Sequence, residues 1–254
     1  MPAMENWIID SAILITAGFA AGLLNAVAGG GSFITLPALV AVGLPPVIAN
    51  ATGTAALLPG YLASVWKLRR HMAPPAGLSW LRLSLLTLGG GVLGAIALLL
   101  SPARLFDALI PWLVLLASGL FAFAPRLISA PTFDHPSRRW HWLLLLAVCV
   151  YGGYFNGGLG IILLAALHLL GQNDLHGMNG LKNMMSALLT TVAVVVYAVG
   201  GLLEFSHLWL MAVSAVAGGY SGGALAYRLP ARWLRMLIVA VGLAVTAIFF
   251  WRQA

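Results

Sequence analysis

Apolar runs alternate with short polar breaks along the whole chain. They cover 7–26, 33–43, 47–66, 78–100, 105–125, 140–155, 159–170, 178–201, 207–227 and 232–251. Most predict helices of about 20 residues, long enough to cross a hydrocarbon core of about 30 Å. Two pairs differ. Ala28-Gly29-Gly30-Gly31-Ser32 interrupts the stretch 7–43, and Asn156-Gly157-Gly158-Leu159-Gly160 interrupts 140–170. The pieces after these breaks are short, and at about 1.5 Å per residue each covers roughly half a bilayer.

Composition makes the membrane assignment firm. AVILMFWYC residues are 61% of the chain and charged residues 7%, against about 25% charged in a soluble domain. So little charge cannot coat a water-soluble surface. A disordered chain, a coiled coil and a disulfide scaffold are excluded with it. The single Cys, Cys149, cannot form an internal disulfide. The net charge of +7 comes from cations in short loops, the pattern of membrane topology, so no nucleic-acid partner is expected. Ala26-Val27-Ala28 resembles a cleavage site, but Glu5 and Asp10 precede it without any cation, so the first segment is read as retained.

The chain also repeats itself. Pro102-Ala103-Arg104-Leu105 recurs as Pro230-Ala231-Arg232-Trp233, an offset of 128. Gly90-Gly91-Val92-Leu93-Gly94 and Gly218-Gly219-Tyr220-Ser221-Gly222 share that offset, as do Gly43 and Gly171. Asn25 and Asn156 stand beside the two breaks at matching places, 131 apart. The expected halves are 1–127 and 128–254. If each broken pair is a hairpin that returns to its starting side, Lys67, Arg69, Arg70, Arg82, Arg126, Arg138, Arg139, Lys182, Arg228, Arg232 and Arg235 share one side. Arg104 and Arg252 take the other. The positive-inside rule favours this arrangement, with both termini outside. Each half then has an odd number of segments, so the second is inverted. The expected fold is an all-α polytopic membrane protein of two inverted repeats, each a broken Gly-rich hairpin plus three transmembrane helices.

Candidate chemistry gathers at the breaks. Glycine runs allow the turn and bring bare N–H groups to a ligand. A half-helix starting at Ser32 or Gly160 points its positive end inward, which suits an anion. The binding candidates are Asn25, Gly29, Gly30, Gly31 and Ser32 at the first break, and Asn156, Gly157, Gly158 and Gly160 at the second. Gly30 and Gly158 are the positions expected to reject a β-branched residue through positive φ. In the segments that follow, Asn50 and Thr52 stand in the first half, with Thr54 sharing the Asn50 face. Asn179, Lys182 and Asn183 share one face in the second. Lys182 stands four residues inside the apolar run 178–201. It is a functional candidate, with snorkelling to the membrane surface as the alternative. Gly90, Gly91, Gly94, Gly218, Gly219 and Gly222 are read as close-packing positions. His168 is the candidate proton carrier. His71, His135, His141, His176 and His207 fall at loops or segment ends. With no H-E-x-x-H motif and no Cys pair, neither a metal nor another cofactor is expected.

Three stretches carry a family resemblance: Gly22 through Ser32 with Pro37 following, Gly43-Leu44-Pro45-Pro46 leading to Ala49-Asn50-Ala51-Thr52, and Tyr151 through Gly160 leading to Asn179-Gly180-Leu181-Lys182-Asn183. Here the sequence resembles the sulfite exporter TauE/SafE family. The resemblance implies a bacterial plasma-membrane permease for small anions such as sulfite or sulfonates. The expected function is therefore secondary anion transport by alternating access. A passive channel or an assembly subunit is the alternative. An intramembrane enzyme ranks below both, because no nucleophile–base pair or ligand set is apparent. The partners expected are a small anion, the bilayer and, as a candidate, a second copy of the chain.

Overall fold

The structure is a computed structural model that describes residues 2–70, 72–75, 77–128, 138–225 and 231–253. His71, His135, Arg228 and Pro230 lie outside the described residues. The described residues form ten helices and no strand. They are α1 (Pro2–Ala28), α2 (Ser32–Ala41), α3 (Pro46–Leu68), α4 (Trp80–Leu100), α5 (Ala103–Ile128), α6 (Arg138–Tyr154), α7 (Leu159–Leu169), α8 (Leu175–Val199), α9 (Phe205–Leu225) and α10 (Ala231–Gln253).

Local sequence accounts for most of the ends. Pro46 opens α3 at a position where a missing N–H costs nothing. Asp174 caps α8 by accepting from the His176 and Gly177 amides at 3.2 and 2.9 Å. The short helices α2 and α7 close alike. Gly43 and Gly171 take φ of +95° and +84°. The next amides, Leu44 and Gln172, each donate 3.0 Å back to Leu39 O and Leu167 O, a Schellman closure that needs glycine at the left-handed position. The offset of 128 between these glycines thus corresponds to the same turn built twice.

Four stretches among the described residues are long and apolar enough to cross a membrane: Trp7–Ala26, Trp80–Leu100, Ala103–Phe123 and His176–Val199. Large apolar side chains also cover the exterior, among them Trp66, Leu85, Val199 and Tyr220. Hydrocarbon tolerates such a surface and water does not.

Packing is reciprocal. α1 lies along α9, and α6 lies along α4. α3 packs on α8, and α5 on α10. Glycines allow the close pairs. A Cβ on Gly22 would fall 1.9 Å from Ala215 O, and one on Gly94 2.1 Å from Val150 O. Gly90, Gly91 and Gly218 are closed as well, against Cys149, Leu189 and Phe19, which bears out the close-packing reading at those positions. A Cβ on Gly219 would meet nothing nearer than Gly22 O at 3.7 Å, an ordinary contact, and the surroundings of Gly222 lie outside the described residues.

Contacts at the helix ends sort the connections onto two faces. The Glu204 amide meets Thr52 near the start of α3, and Gly200 packs on Leu99 at the end of α4. On the opposite face Gly180, near the start of α8, packs on Met72 and Leu68 at the end of α3. α1 runs parallel to α9, with Gly18 against Met211 and Gly22 against Ala215. α10 runs antiparallel to α5, since Phe250 meets Trp112 while Ile238 and Phe121 both border Gly30. The start of α1 and the end of α10 therefore share one face.

Candidate functional site

Both broken pairs send their tips to the centre of the bundle, where they touch. A Cβ on Gly29 would lie 3.0 Å from the Gly160 Cα, and one on Gly160 2.9 Å from the Gly29 Cα. Backbone meets backbone here because neither residue carries a side chain. Two elements more than a hundred residues apart are thereby locked into one site.

The two breaks are built differently. α1 runs on through Asn25 to Ala28, and Gly29 turns the chain at φ +76°. Its amide folds back on Leu24 O and Asn25 O at 3.2 and 3.1 Å. The left-handed residue is therefore Gly29, not Gly30 as expected. Gly30 is instead closed in by the Ile238 and Phe121 side chains, each 3.1 Å from a built Cβ. α6 stops earlier, at Tyr154, so Asn156 lies in the break itself at φ +57°. Asn25, by contrast, is a helical residue one turn from the end of α1. The two asparagines match in sequence but not in local geometry. Gly158 adds a second left-handed turn at φ +71° and abuts Ala117. α7 then begins at Leu159, one residue before the expected Gly160.

Early termination of α6 frees carbonyls, which need partners in a dry interior. Asn50 Nδ2 donates to Tyr154 O at 3.0 Å, and the Tyr197 hydroxyl donates to Gly153 O. Tyr151 donates to Gly157 O at 2.6 Å. Thr52 Oγ1 accepts the Glu204 amide at 3.1 Å and so steadies the start of α9. Asn50 and Thr52 are thus engaged in holding backbone.

Other groups at the centre are not engaged. Among the described residues, the Gly30, Gly31, Asn156 and Gly158 amides donate to no backbone carbonyl. Both amide atoms of Asn156 and Oδ1 of Asn25 are buried without a hydrogen bond. Tyr61 of α3, 3% exposed, brings its hydroxyl near both asparagine side chains, but the approach falls short of full hydrogen-bond geometry for Asn156. Sequence reasoning missed Tyr61, although it follows Thr54 by seven residues on the same helical face.

Lys182 is 1% exposed. That excludes snorkelling, which requires the ammonium to reach a wet surface. It stands two turns into α8, because that helix starts at Leu175, ahead of the apolar run. No opposing charge or hydrogen bond among the described residues offsets its desolvation. Asn183 is buried beside it and Asn179 is half-buried. His168 is not with this group. It lies in the last turn of α7, half-buried, with Nδ1 3.3 Å from Gln172 O, about 13 Å along the helix from the tip.

Ser32 and Gly157, one from each break, line a cavity of about 10 Å3 together with Phe33, Phe155, Val114 and Val245. That is about the room one water needs, so the tips are closed in this conformation.

An all-helical bundle with an apolar exterior and broken helices meeting at its centre defines a multi-pass membrane protein of the transporter class. The chain belongs to the sulfite exporter TauE/SafE family, whose model matches residues 14–249. It is similar to a Haemophilus influenzae protein described as "Probable membrane transporter protein", with 28% identity over 93% of this chain and 92% of that protein. A Sinorhizobium sp. protein, "Probable membrane transporter protein ORF9", is 27% identical over 92% and 90%. "Probable membrane transporter protein YfcA" of Escherichia coli K12 is 25% identical over 92% and 87%. No solved structure matches the chain.

Proposed function

We propose that the protein is a secondary transporter of small anions, sulfite or an organosulfonate, working by alternating access. The observation that carries this reading is the meeting of two glycine breaks through Gly29 and Gly160 beside unengaged polar groups, with Lys182 buried in α8, the helix that packs on α3 and α7. Desolvating an anion is costly, and half-helix N-termini offset the cost only in part. Lys182 supplies the missing positive charge. The unengaged donors are backbone amides, Asn156 Nδ2 and Tyr61, with Asn25 Oδ1 as an acceptor beside them, a set in which donors predominate and which favours ligands rich in acceptor oxygens.

The moving parts are the two halves, 1–127 and 128–254, as inverted repeats. Their reciprocal packing, α1 on α9 against α6 on α4, supports this, as do the twin Schellman closures. The cation-rich face is cytoplasmic in a bacterial inner membrane, with both termini outside. Parting the halves on one face and then the other opens the tips alternately.

Labelled sulfite flux in proteoliposomes tests the reading, with sulfate, sulfoacetate and thiosulfate as competitors. Saturable flux with counterflow is expected. Ohmic current would make the protein a channel instead. A reporter fused after Ala254 is expected to be active only in its periplasmic form, and a cytoplasmic signal would overturn the orientation.

A further inference from the structure

Hydroxyls in buried helices ordinarily bond to their own backbone one turn back. This chain follows that habit widely. Thr87 bonds Leu83 O, Ser118 bonds Val114 O, Thr191 bonds Ala187 O and Thr246 bonds Gly242 O, all at 2.7–2.8 Å. Ser186 and Thr190 of α8 do not. Both are 0% exposed, and neither hydroxyl has a partner. Thr190 and Thr191 are consecutive, yet only Thr191, on the exposed side of α8, is self-satisfied.

The unengaged hydroxyls fall on the helical face of Lys182. At about 100° per residue, Lys182, Ser186, Thr190, Asn179 and Asn183 share an arc of roughly 100°. The apolar residues Met178, Leu181, Met185 and Leu189 pack in a separate cluster on another side. Ala187 packs in one cluster with Leu57 and Tyr61, so this stretch of α8 passes the level where Tyr61 nears Asn25 and Asn156. From Lys182 to Thr190 the ladder rises about 12 Å, crossing the level of the tips.

We infer that Lys182, Ser186 and Thr190 form a ladder of donors that hands the anion past the touching tips, with Ser186 and Thr190 as further substrate-binding residues. The inference rests on the transporter reading above. Each hydroxyl is held ready because it bonds nothing in the closed conformation, and each makes its bond only to a passing oxyanion. Donors at one-turn intervals let the ion exchange partners stepwise without being bare at any stage.

The test has two arms. Ser186→Cys, Thr190→Cys and Thr191→Cys are made in a Cys149→Ala background and exposed in intact cells to an anionic, membrane-impermeant methanethiosulfonate. Modification at 186 and 190 and none at 191 is expected. No modification at 186 and 190, or equal modification at 191, overturns the ladder whatever ion is carried. In the second arm, Ser186→Ala and Thr190→Val are expected to raise KM for sulfite about tenfold, the loss of one hydrogen bond to a charged group. Thr191→Val stays near normal, and Thr190→Ser, which restores the hydroxyl, recovers KM relative to Thr190→Val. Unchanged KM in the first two overturns the substrate contact. Modification at 186 and 190 in a protein that moves no sulfite overturns sulfite as substrate and leaves the ladder standing as a route for another anion.

Discussion

Helices α3 and α8 pack against each other and each follows a short helix closed by a glycine turn, yet they use polar residues in opposite ways. In α3, Asn50 holds the end of α6 and Thr52 holds the start of α9. In α8, Lys182, Ser186 and Thr190 are buried and hold nothing. The difference traces to the breaks. α1 runs to Ala28 and turns on Gly29, whose amide folds back on its own helix. α6 stops at Tyr154 and leaves carbonyls that other helices must satisfy. The scaffold needs of the second break are thus met from α3, by Tyr151 of α6 itself and by Tyr197 far along α8. The middle of α8 makes no such bonds, and the Ser186 and Thr190 hydroxyls stay without partners.

Five variants at four positions break or sharpen this contrast. Gly158→Val should act most strongly, abolishing flux while the protein still reaches the membrane. Its φ of +71° and the Ala117 Cβ 2.9 Å from a built Cβ leave no place for a branched side chain. Normal flux would show that the second break does not line the path. Lys182→Gln comes next, with KM for sulfite raised at least about tenfold, the scale of one lost charged contact. Lys182→Arg keeps the charge but misplaces it, and retains partial activity. Near-normal transport by the Gln variant ends the claim that this amine meets substrate.

Asn50→Ala reverses the signature. It orphans Tyr154 O and should lower stability by about 1–3 kcal/mol, read as a lower thermal midpoint in detergent, with KM little changed. A KM effect without a stability effect would erase the distinction between α3 and α8. Tyr61→Phe is the mildest. It removes one neutral hydroxyl near Asn25 and Asn156, so KM should rise only about threefold to tenfold, with the midpoint held. No change in KM would remove Tyr61 from the site.

Much of this was legible along the chain. The apolar run 159–170 is α7, Leu159–Leu169, and 33–43 is α2, Ser32–Ala41, with its closing turn. Such boundaries are readable because apolar length and glycine punctuation act locally. The role of Asn50 was not readable, since its partner lies 104 residues away. Nor was the left-handed turn at Gly29 instead of Gly30, because three adjacent glycines offer the same freedom and neighbouring side chains choose among them. Ser186 and Thr190 carried no signal at all. A serine in a helix looks the same whether its hydroxyl bonds its own backbone or waits for a ligand.

The sequence by itself determined the membrane class, the ten helical segments, the two glycine breaks and the matched glycines Gly43 and Gly171 that close the short helices. Each follows from composition or from spacing within a few residues, which the bilayer and the helix repeat convert directly into structure. Tertiary structure alone decided that the tips touch through Gly29 and Gly160, that Lys182 is sealed from the surface, and which polar groups hold backbone and which hold nothing. Hydrogen-bond partners inside a bundle are shared among helices far apart in the chain, so engagement is a property of the packed molecule and cannot be read from any one segment.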